Sequence, residues 1–479
     1  MLSIHNKKEL VENAVSRADR KARRIALTAL EQALNAVDPK KMIESKITLK
    51  QNRLRIRQKE FNLKRFRRII VIGGGKASGE MAEALEEILG RRISAGIVNV
   101  PHKIRNSGIG KTSPGTVNRE VSSFSTTRNG LIKLHQAGHP IPDEAGLKGT
   151  KEILDLVSDV RKDDLVICLI SGGGSSLMPL PRGEITLADI GQINDDLLMS
   201  GATINEVNTV RKHISDCKGG WLAKRTYPAT VVNLVLSDVI GDPLEFIASG
   251  PTVPDSTTFG DAIDILKRYN LWKTLPPSAG TILVEGQKGL IPETPKEGDQ
   301  VFRKVHSFVM GNNRLAALAA CKGLQEKGLQ SLLLTSYLEG EARHVGTMLA
   351  SIVKEIRSSG NPLPKPCGIV AGGETTVTVV GDGKGGRNQE VALSAALRIA
   401  GMESSVVATL ATDGVDGPTQ AAGAIVDGYT ITRSLALNLN PESFLDNNDS
   451  YSFFSEVNDQ IVTGSTDTNV NDLAIIVVL

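Results

Sequence analysis

Two cations stand where a helix would repel them. Lys76 follows Gly73, Gly74 and Gly75 in RRIIVIGGGKASGEMAEALEEILG, residues 67–90, and Arg387 follows Gly385 and Gly386 in GKGGRNQE. In both places a glycine turn leads into a helical pattern, so each cation falls at a helix N-terminus. The dipole there disfavours a positive side chain by a few tenths of a kcal/mol up to about 1 kcal/mol. An anion in the turn removes the repulsion, because the free N–H groups of a helix start form an anion site. One such cation in each half of the chain suits a polyanion whose charge moves between its ends, as phosphoryl transfer requires.

Other loops carry similar chemistry. SGGGSS follows the apolar run LVICLI. With Gly74 and Gly75 it predicts an anion cradle made of the backbone at Gly172, Gly173 and Gly174 and the hydroxyls of Ser171, Ser175 and Ser176. Asp238 ends a strand in LSDVIGD, and Asp413 and Asp416 end another in ATDGVDG. An acid so placed can hold Mg²⁺ or accept a substrate proton, or it can cap the next turn. NEVNTVRKHISDCKGG sets Asn208, Arg211 and Lys212 near one helical face and Lys218 before two glycines. Arg211 can clamp a carboxylate with two parallel hydrogen bonds, while His213 reads as a packing residue. MGNNR offers Asn312, Asn313 and Arg314 to a nucleotide or to a chain connection. The turn at Lys76 is not a phosphate-binding P-loop, since Ile70 and Ala77 occupy its key positions. The dinucleotide fingerprint G-x-G-x-x-G also fails, with Ser78 at its third glycine.

These loops need strands and helices to hold them. The chain has 479 residues, 40% hydrophobic and 23% charged, enough for two or three domains. A net charge of +3 and 4% aromatics give no nucleic-acid footprint. The four cysteines have no metal or disulfide spacing, Cys168 lies in an apolar strand, and the N-terminus lacks a signal-peptide core. No apolar stretch is long enough to span a bilayer, and a cytoplasmic protein is expected. Apolar residues from Val11 to Val37 predict one long helix over about 7–37, with RADRKARR as a solvated face. KITLKQNRLRIR predicts a hairpin, and Asp143 a helix cap. The alternation that follows predicts an α/β protein. Residues 1–280 form a doubly wound, parallel-sheet, Rossmann-like domain, 281–300 a connection, and 301–479 a second α/β domain. The Thr375–Val380 run predicts a mixed sheet in the second domain.

The ordered set GGGKASGEMAEALE, GHPIPDE, LISGGGSSLMPLP, INEVNTVRKHISDCKGGWLA, LVLSDVIGDPLEFIASGPTVPD, AGGETTVTV, GKGGRNQE and ATDGVDGPTQAAGAIVDG resembles the class II glycerate kinases, whose C-terminal part is the MOFRL domain. The resemblance runs from about residue 8 to the end. It implies ATP- and Mg²⁺-dependent phosphorylation of D-glycerate to 2-phosphoglycerate in an interdomain cleft, with Lys76 and Arg387 essential. From their positions at strand ends, not from the resemblance, Asp238 is the acid assigned to catalysis, the metal acid lies among Asp238, Asp413 and Asp416, with Asp238 and Asp413 put first, and Asn312 and Asp413 are ligand-binding candidates. Partners would be glycerate and a nucleotide, with no nucleic acid or membrane, and a homodimer is compatible with this. Phosphorylation at the 3-hydroxyl is an alternative, as the choice rests on sub-ångström positioning. A second alternative is an NAD(P)H-dependent hydroxypyruvate reductase, a label some relatives carry. The missing third glycine and the lack of a ribose-binding acid count against it.

Overall fold

In the computed structural model residues 2–102 and 124–479 are described, and all counts below are of those residues. The chain divides into two compact units. One comprises Ile43–Leu236 and Pro243–Met310, the other Met1–Met42, Ser237–Asp242 and Gly311–Leu479. These bounds differ from the expected 1–280 and 301–479: the N-terminal helices group with the C-terminal unit, and the first unit continues past 300.

The unit of 43–236 opens with the expected hairpin, β1 (Ile47–Lys50) and β2 (Arg53–Ile56), extended by β3 (Lys59–Asn62) into a small antiparallel sheet. The main sheet contains β4 (Arg68–Gly74), β5 (Ala95–Pro101), β6 (Phe124–Thr126), β7 (Ile132–Ala137), β8 (Asp164–Ile170), β9 (Thr230–Leu236) and β10 (Val305–Gly311). Its order is β10-β9-β8-β4-β5-β7-β6. The β4, β5, β7, β8 and β9 neighbours pair in parallel, as their near-continuous apolar runs predict. From β4 the chain proceeds outward through β5 and then returns to β8 on the other side. The switch point of the sheet therefore lies between β4 and β8, where doubly wound folds bind ligands. Gly74 stands opposite Ile170 in that pairing, so Lys76 and the 171–176 loop emerge side by side.

A second apolar cluster in this unit packs four helices, Leu187–Met199, Ile204–His213, Phe259–Arg268 and Pro277–Gln287. Val207, Val210 and Ile214 enter it with Phe259, Ile263, Ala279 and Leu283. The stretch expected as a connection over 281–300 thus begins inside a helix. In the turn TILVE, Leu283 is buried and Ile282 partly buried against these neighbours, a fact that glycine and proline counts do not reveal. Asp143 caps the helix Glu144–Leu156 as expected, its Oδ1 accepting the Gly146 N–H at 2.8 Å.

The other unit holds a sheet of β11 (Gln330–Leu338), β12 (Cys367–Gly373), β13 (Ser405–Ala411), β14 (Gly423–Asp427), β15 (Gln460–Ile461) and β16 (Asp472–Val478). Its order is β11-β12-β16-β13-β14-β15. β11 pairs with β12 in parallel and the remaining pairs are antiparallel, so the sheet is mixed. The Thr375–Val380 run does not supply it. That run is a loop touching the sheet region by one bridge, Glu341 to Thr376, with Val379 and Val380 exposed.

The expected helix over 7–37 is two helices, Lys7–Glu12 and Arg17–Ala36. Ser16 starts the second, accepting the Asp19 N–H at 3.0 Å, and Asn13 in the break donates to the Val457 carbonyl and Asp459. Its basic face is not wholly solvated either. Arg23 is fully buried and bonds Asp427 at 2.6 Å and Asp459 at 2.7 and 3.0 Å. Arg433 shares the same two acids. Removing one partner of a buried pair leaves uncompensated charge and costs about 3–5 kcal/mol. Arg23→Met should fall near the lower end, because Arg433 remains, while Arg433→Met should cost less. Urea unfolding of both variants measures this, and equal losses would contradict the assignment.

Candidate active site

At the switch point the two glycine loops interlock. The Lys76 N–H donates to the Gly172 carbonyl at 2.8 Å, and the Ala77 N–H donates to Ser171 Oγ at 3.0 Å. The Gly75 N–H donates to the Asn99 carbonyl and the Ser78 N–H to the Gly75 carbonyl, each at 3.2 Å. Gly75 has φ +151°, and a Cβ there would stand 2.1 Å from Ser171 Oγ. The glycine is required so that the 171–172 segment can lie against the turn. On the Lys76 side the expected cradle is therefore closed from within, the N–H groups of residues 75–78 being taken by the protein. Gly74 and Gly174 are likewise packing positions, pressed by Met178 and Ala248 respectively. The half-buried Lys76 side chain lies just ahead of the helix Ser78–Leu89.

Gly173 brings two further groups to the same place. It has φ +79°, and a Cβ on it would lie 2.7 Å from His139 Nε2 and 3.3 Å from Lys76 Cγ. Gly173 and His139 border a cavity of about 210 Å³ whose wall also includes Ser175, Ser176, Arg211 and Lys218. Of the residues expected from sequence, Gly173, Ser175, Ser176, Arg211 and Lys218 thus come together, with Lys76 at their edge. His139 and Asn194 were not foreseen as site residues. GHPIPDE marks a rigid turn around His139, whereas nothing in the helical pattern marks Asn194.

The electrostatics of this cavity are one-sided. Arg211 Nε donates to Asn194 Oδ1 at 2.7 Å, and Lys218 Nζ donates to the Met178 carbonyl at 3.2 Å. Neither forms an ion pair among the described residues. Burial lowers the Arg211 pKa, and it pushes Lys218 down to about 8, with Arg211 adding repulsion. The neighbours of Arg211 on its helix are used differently. Lys212 is buried against Asp255 at 3.1 Å, and His213 bridges the Thr209 carbonyl and Glu293. A buried lysine and a half-buried arginine, both held by neutral acceptors, form a receptor for a small anion.

In the other unit Arg387 opens the helix Arg387–Ile399, and acids surround it. Its Nε donates to Asp472 Oδ2 at 2.5 Å, Nη2 to Asp472 Oδ1 at 3.2 Å, and Nη1 to Glu374 Oε1 at 2.6 Å. Register explains the convergence: Asp472 at the start of β16 pairs with Gly373 at the end of β12 and Ala411 at the end of β13. Burial pushes the Asp472 carboxyl up, with Asp416 adding to that shift and Arg387 opposing it. The helix start is itself capped by Asp416, which accepts the backbone N–H groups of Asn388 at 3.0 Å and Gln389 at 2.8 Å. The expected anion at this N-terminus is therefore a protein carboxylate, and Arg387 is tolerated because three acids balance it. Burial raises the Asp416 pKa, and its oxygens are engaged with the helix rather than turned to a metal. Asn312 is also a cap, accepting the Leu315 N–H at 2.9 Å and donating to Asp242, so its side chain is engaged structurally. Asp413 is half-buried, with Oδ1 accepting the Val415 N–H at 3.1 Å, and Asp238 is half-buried in Ser237–Asp242. No group of three or more potential metal-ligating side chains occurs among the described residues.

These arrangements have counterparts in known proteins. A domain of unknown function (DUF4147) matches residues 25–284, and the MOFRL family matches residues 367–472. A glycerate 2-kinase of Pyrococcus horikoshii is 41% identical over 95% of this chain and 97% of its own length. An Agrobacterium vitis relative, provisionally named a hydroxypyruvate reductase, is 40% identical over 86% of this chain and 87% of its own. The crystal structure of a glycerate kinase from Thermotoga maritima matches with a TM-score of 0.79 at 38% identity, over 95% of this chain and 99% of that one. With both family segments present in order and the likeness spanning nearly the whole chain, this protein belongs to the glycerate kinase family that carries the MOFRL domain.

Proposed function

We infer that the chain transfers the γ-phosphoryl group of ATP to the 2-hydroxyl of D-glycerate. The observation that carries this reading is the cavity beside Lys76, with two cations, the half-buried Arg211 and the buried Lys218, that no carboxylate among the described residues balances. Its volume suits a three-carbon acid. In this reading the glycerate carboxylate binds Arg211 and Lys218, which leaves the hydroxyl end toward Gly173 and Lys76. Lys76 stabilises charge that shifts as the phosphoryl group leaves ADP, and Arg387, held in orientation by Asp472 and Glu374, serves a phosphate of the nucleotide. Magnesium enters with ATP as the substrate complex. Mg²⁺ commonly takes one or two carboxylates and completes its shell with water and phosphate, so the half-buried Asp238 or Asp413 fits as a single protein ligand. Asp238 is retained as the candidate acid at the reacting hydroxyl.

The reductase reading has one structural objection. A dinucleotide pyrophosphate approaches the backbone of the glycine turn closely. Here Ser171 occupies that face of Gly75, and the N–H groups of Lys76 and Ala77 are already bonded. ADP release dependent on D-glycerate, with phosphorus NMR of the product, tests both the reaction and the position. NADH oxidation by hydroxypyruvate without glycerate-dependent ADP would overturn the reading.

Lys76→Ala should lower kcat by at least about 10²- to 10³-fold, the usual cost of removing one transition-state charge contact. Lys76→Arg should restore little, since a planar fork does not replace a point charge in a tight turn. Initial rates decide this, and an active Lys76→Ala would remove the residue from the mechanism. A second expectation concerns pH. With Lys218 near pH 8 in the free protein, the cation needed by the carboxylate is present below that pH and lost above it. KM for glycerate should be flat below pH 8 and rise above it, by up to about tenfold per pH unit. Lys218→Met should raise KM at neutral pH and flatten the alkaline rise; a rise that persists unchanged would assign it to another group.

A further inference from the structure

Two serines border the cavity, and each has its only proton engaged inside the protein. Ser176 Oγ donates to the Gly173 carbonyl at 3.0 Å. For Ser175 the direction follows from its neighbours. Ser175 Oγ and Ser249 Oγ are 2.8 Å apart, and Ser249 Oγ donates to Asn208 Oδ1 at 2.9 Å. A carboxamide oxygen only accepts, and a serine hydroxyl has one hydrogen. With its hydrogen on Asn208, Ser249 must accept from Ser175. The order is therefore Ser175 to Ser249 to Asn208. Ser249 and Asn208 are both buried, so water does not compete for these bonds. Ser249 and Ala248 are also held at φ +59° and +51°, an unusual backbone for residues with a Cβ. Such conformations persist where the surroundings over-determine them.

The consequence is a fixed polarity. Any lone pair of Ser175 or Ser176 left to the cavity accepts a hydrogen bond and cannot give one. Such an oxygen attracts a hydroxyl hydrogen and repels a carboxylate, phosphate or keto oxygen. Arg211 and Lys218, by contrast, can only donate. The cavity thus has a donor end for an anion and an acceptor end for alcohols. We propose that Ser175 and Ser176 determine specificity by accepting the hydroxyl hydrogens of a short hydroxy acid, and that the Ser175–Ser249–Asn208 relay enforces this by denying Ser175 a free proton. The site then favours a 2,3-dihydroxy acid over the 2-oxo acid of the same length. Neither serine hydroxyl is an anion donor, which revises their expected role in the SGGGSS loop. The choice of glycerate as the hydroxy acid rests on the function inferred above, whereas the polarity of the relay does not.

Calorimetric titration of the full chain with D-glycerate and with hydroxypyruvate, which differs by a carbonyl at C2, tests the proposal without requiring turnover. The wild-type protein should bind glycerate at least about tenfold more tightly, the value of one well-made hydrogen bond against one unmade. Ser249→Ala returns the Ser175 proton to the cavity and should bring the two affinities to within about threefold. Ser175→Ala should weaken glycerate and leave hydroxypyruvate no weaker, and it supplies the test if Ser249→Ala does not fold. Equal wild-type affinities, or a preference unchanged in Ser249→Ala and Ser175→Ala, would overturn the proposal. A protein that selects glycerate but releases no ADP would instead overturn the inferred reaction and leave the relay standing.

Discussion

The geometry of the site in the parallel-sheet unit depends on the contact between the turn after β4 and the loop after β8. Ser171 Oγ receives the Ala77 N–H, and the Gly172 carbonyl receives the Lys76 N–H. A methyl group at residue 75 would overlap Ser171, so the contact exists only because Gly75 has no side chain. Once the loops are joined, Gly173 must turn through a left-handed conformation, and that turn brings His139 and the Lys76 stem to one edge of the cavity. Backbone satisfaction and site geometry are the same event here. The N–H groups of the turn at Lys76, at a helix start where an anion would bind, are used to fix the loop that lines the cavity.

A consistent separation runs through the cations of this chain. Arg23, Lys212 and Arg387 each sit against carboxylates and stabilise the arrangement around them. Arg211 and Lys218 are held by neutral oxygens, and burial depresses both. Withdrawing charge from water without a counter-charge is unfavourable, and a fold that keeps a buried lysine and a half-buried arginine in one cavity is arranged for an anion that arrives later. Arg211 and Lys212 are neighbours in sequence. Helical geometry sends one to the cavity and the other to Asp255.

Much of this was legible from residue pattern. The apolar runs located the parallel strands, and the positions of Lys76, Arg211 and Lys218 followed from motifs whose periodicity was plain. The helix over Pro277–Gln287 was not legible, because its apolar turn is short and gains helical character from the cluster it joins. The break that divides the N-terminal helical stretch in two is not legible either, since Asn13 in it is held by a bond to Asp459. Nor could pattern tell that Arg23, in a basic stretch that reads as surface, is fully buried. Asp416 and Asn312 looked like ligands because acids and amides at strand ends serve equally as caps, and only the positions of the Asn388, Gln389 and Leu315 N–H groups distinguish the two.

By itself the sequence determined the α/β class, the strand–glycine–helix units, the family and the two cations that raised the question of an anion. Those properties are local, written in periodicity of 2 and 3.6 and in runs of glycine. The tertiary structure decided which cations are balanced. It closed the turn at Lys76 from within, surrounded Arg387 with Asp472, Glu374 and Asp416, and left Arg211 and Lys218 with no carboxylate partner among the described residues. It also set the direction of the Ser175–Ser249–Asn208 bonds, whose members lie up to 74 residues apart. Charge balance and proton direction are properties of neighbours in space, and no spacing along the chain specifies them.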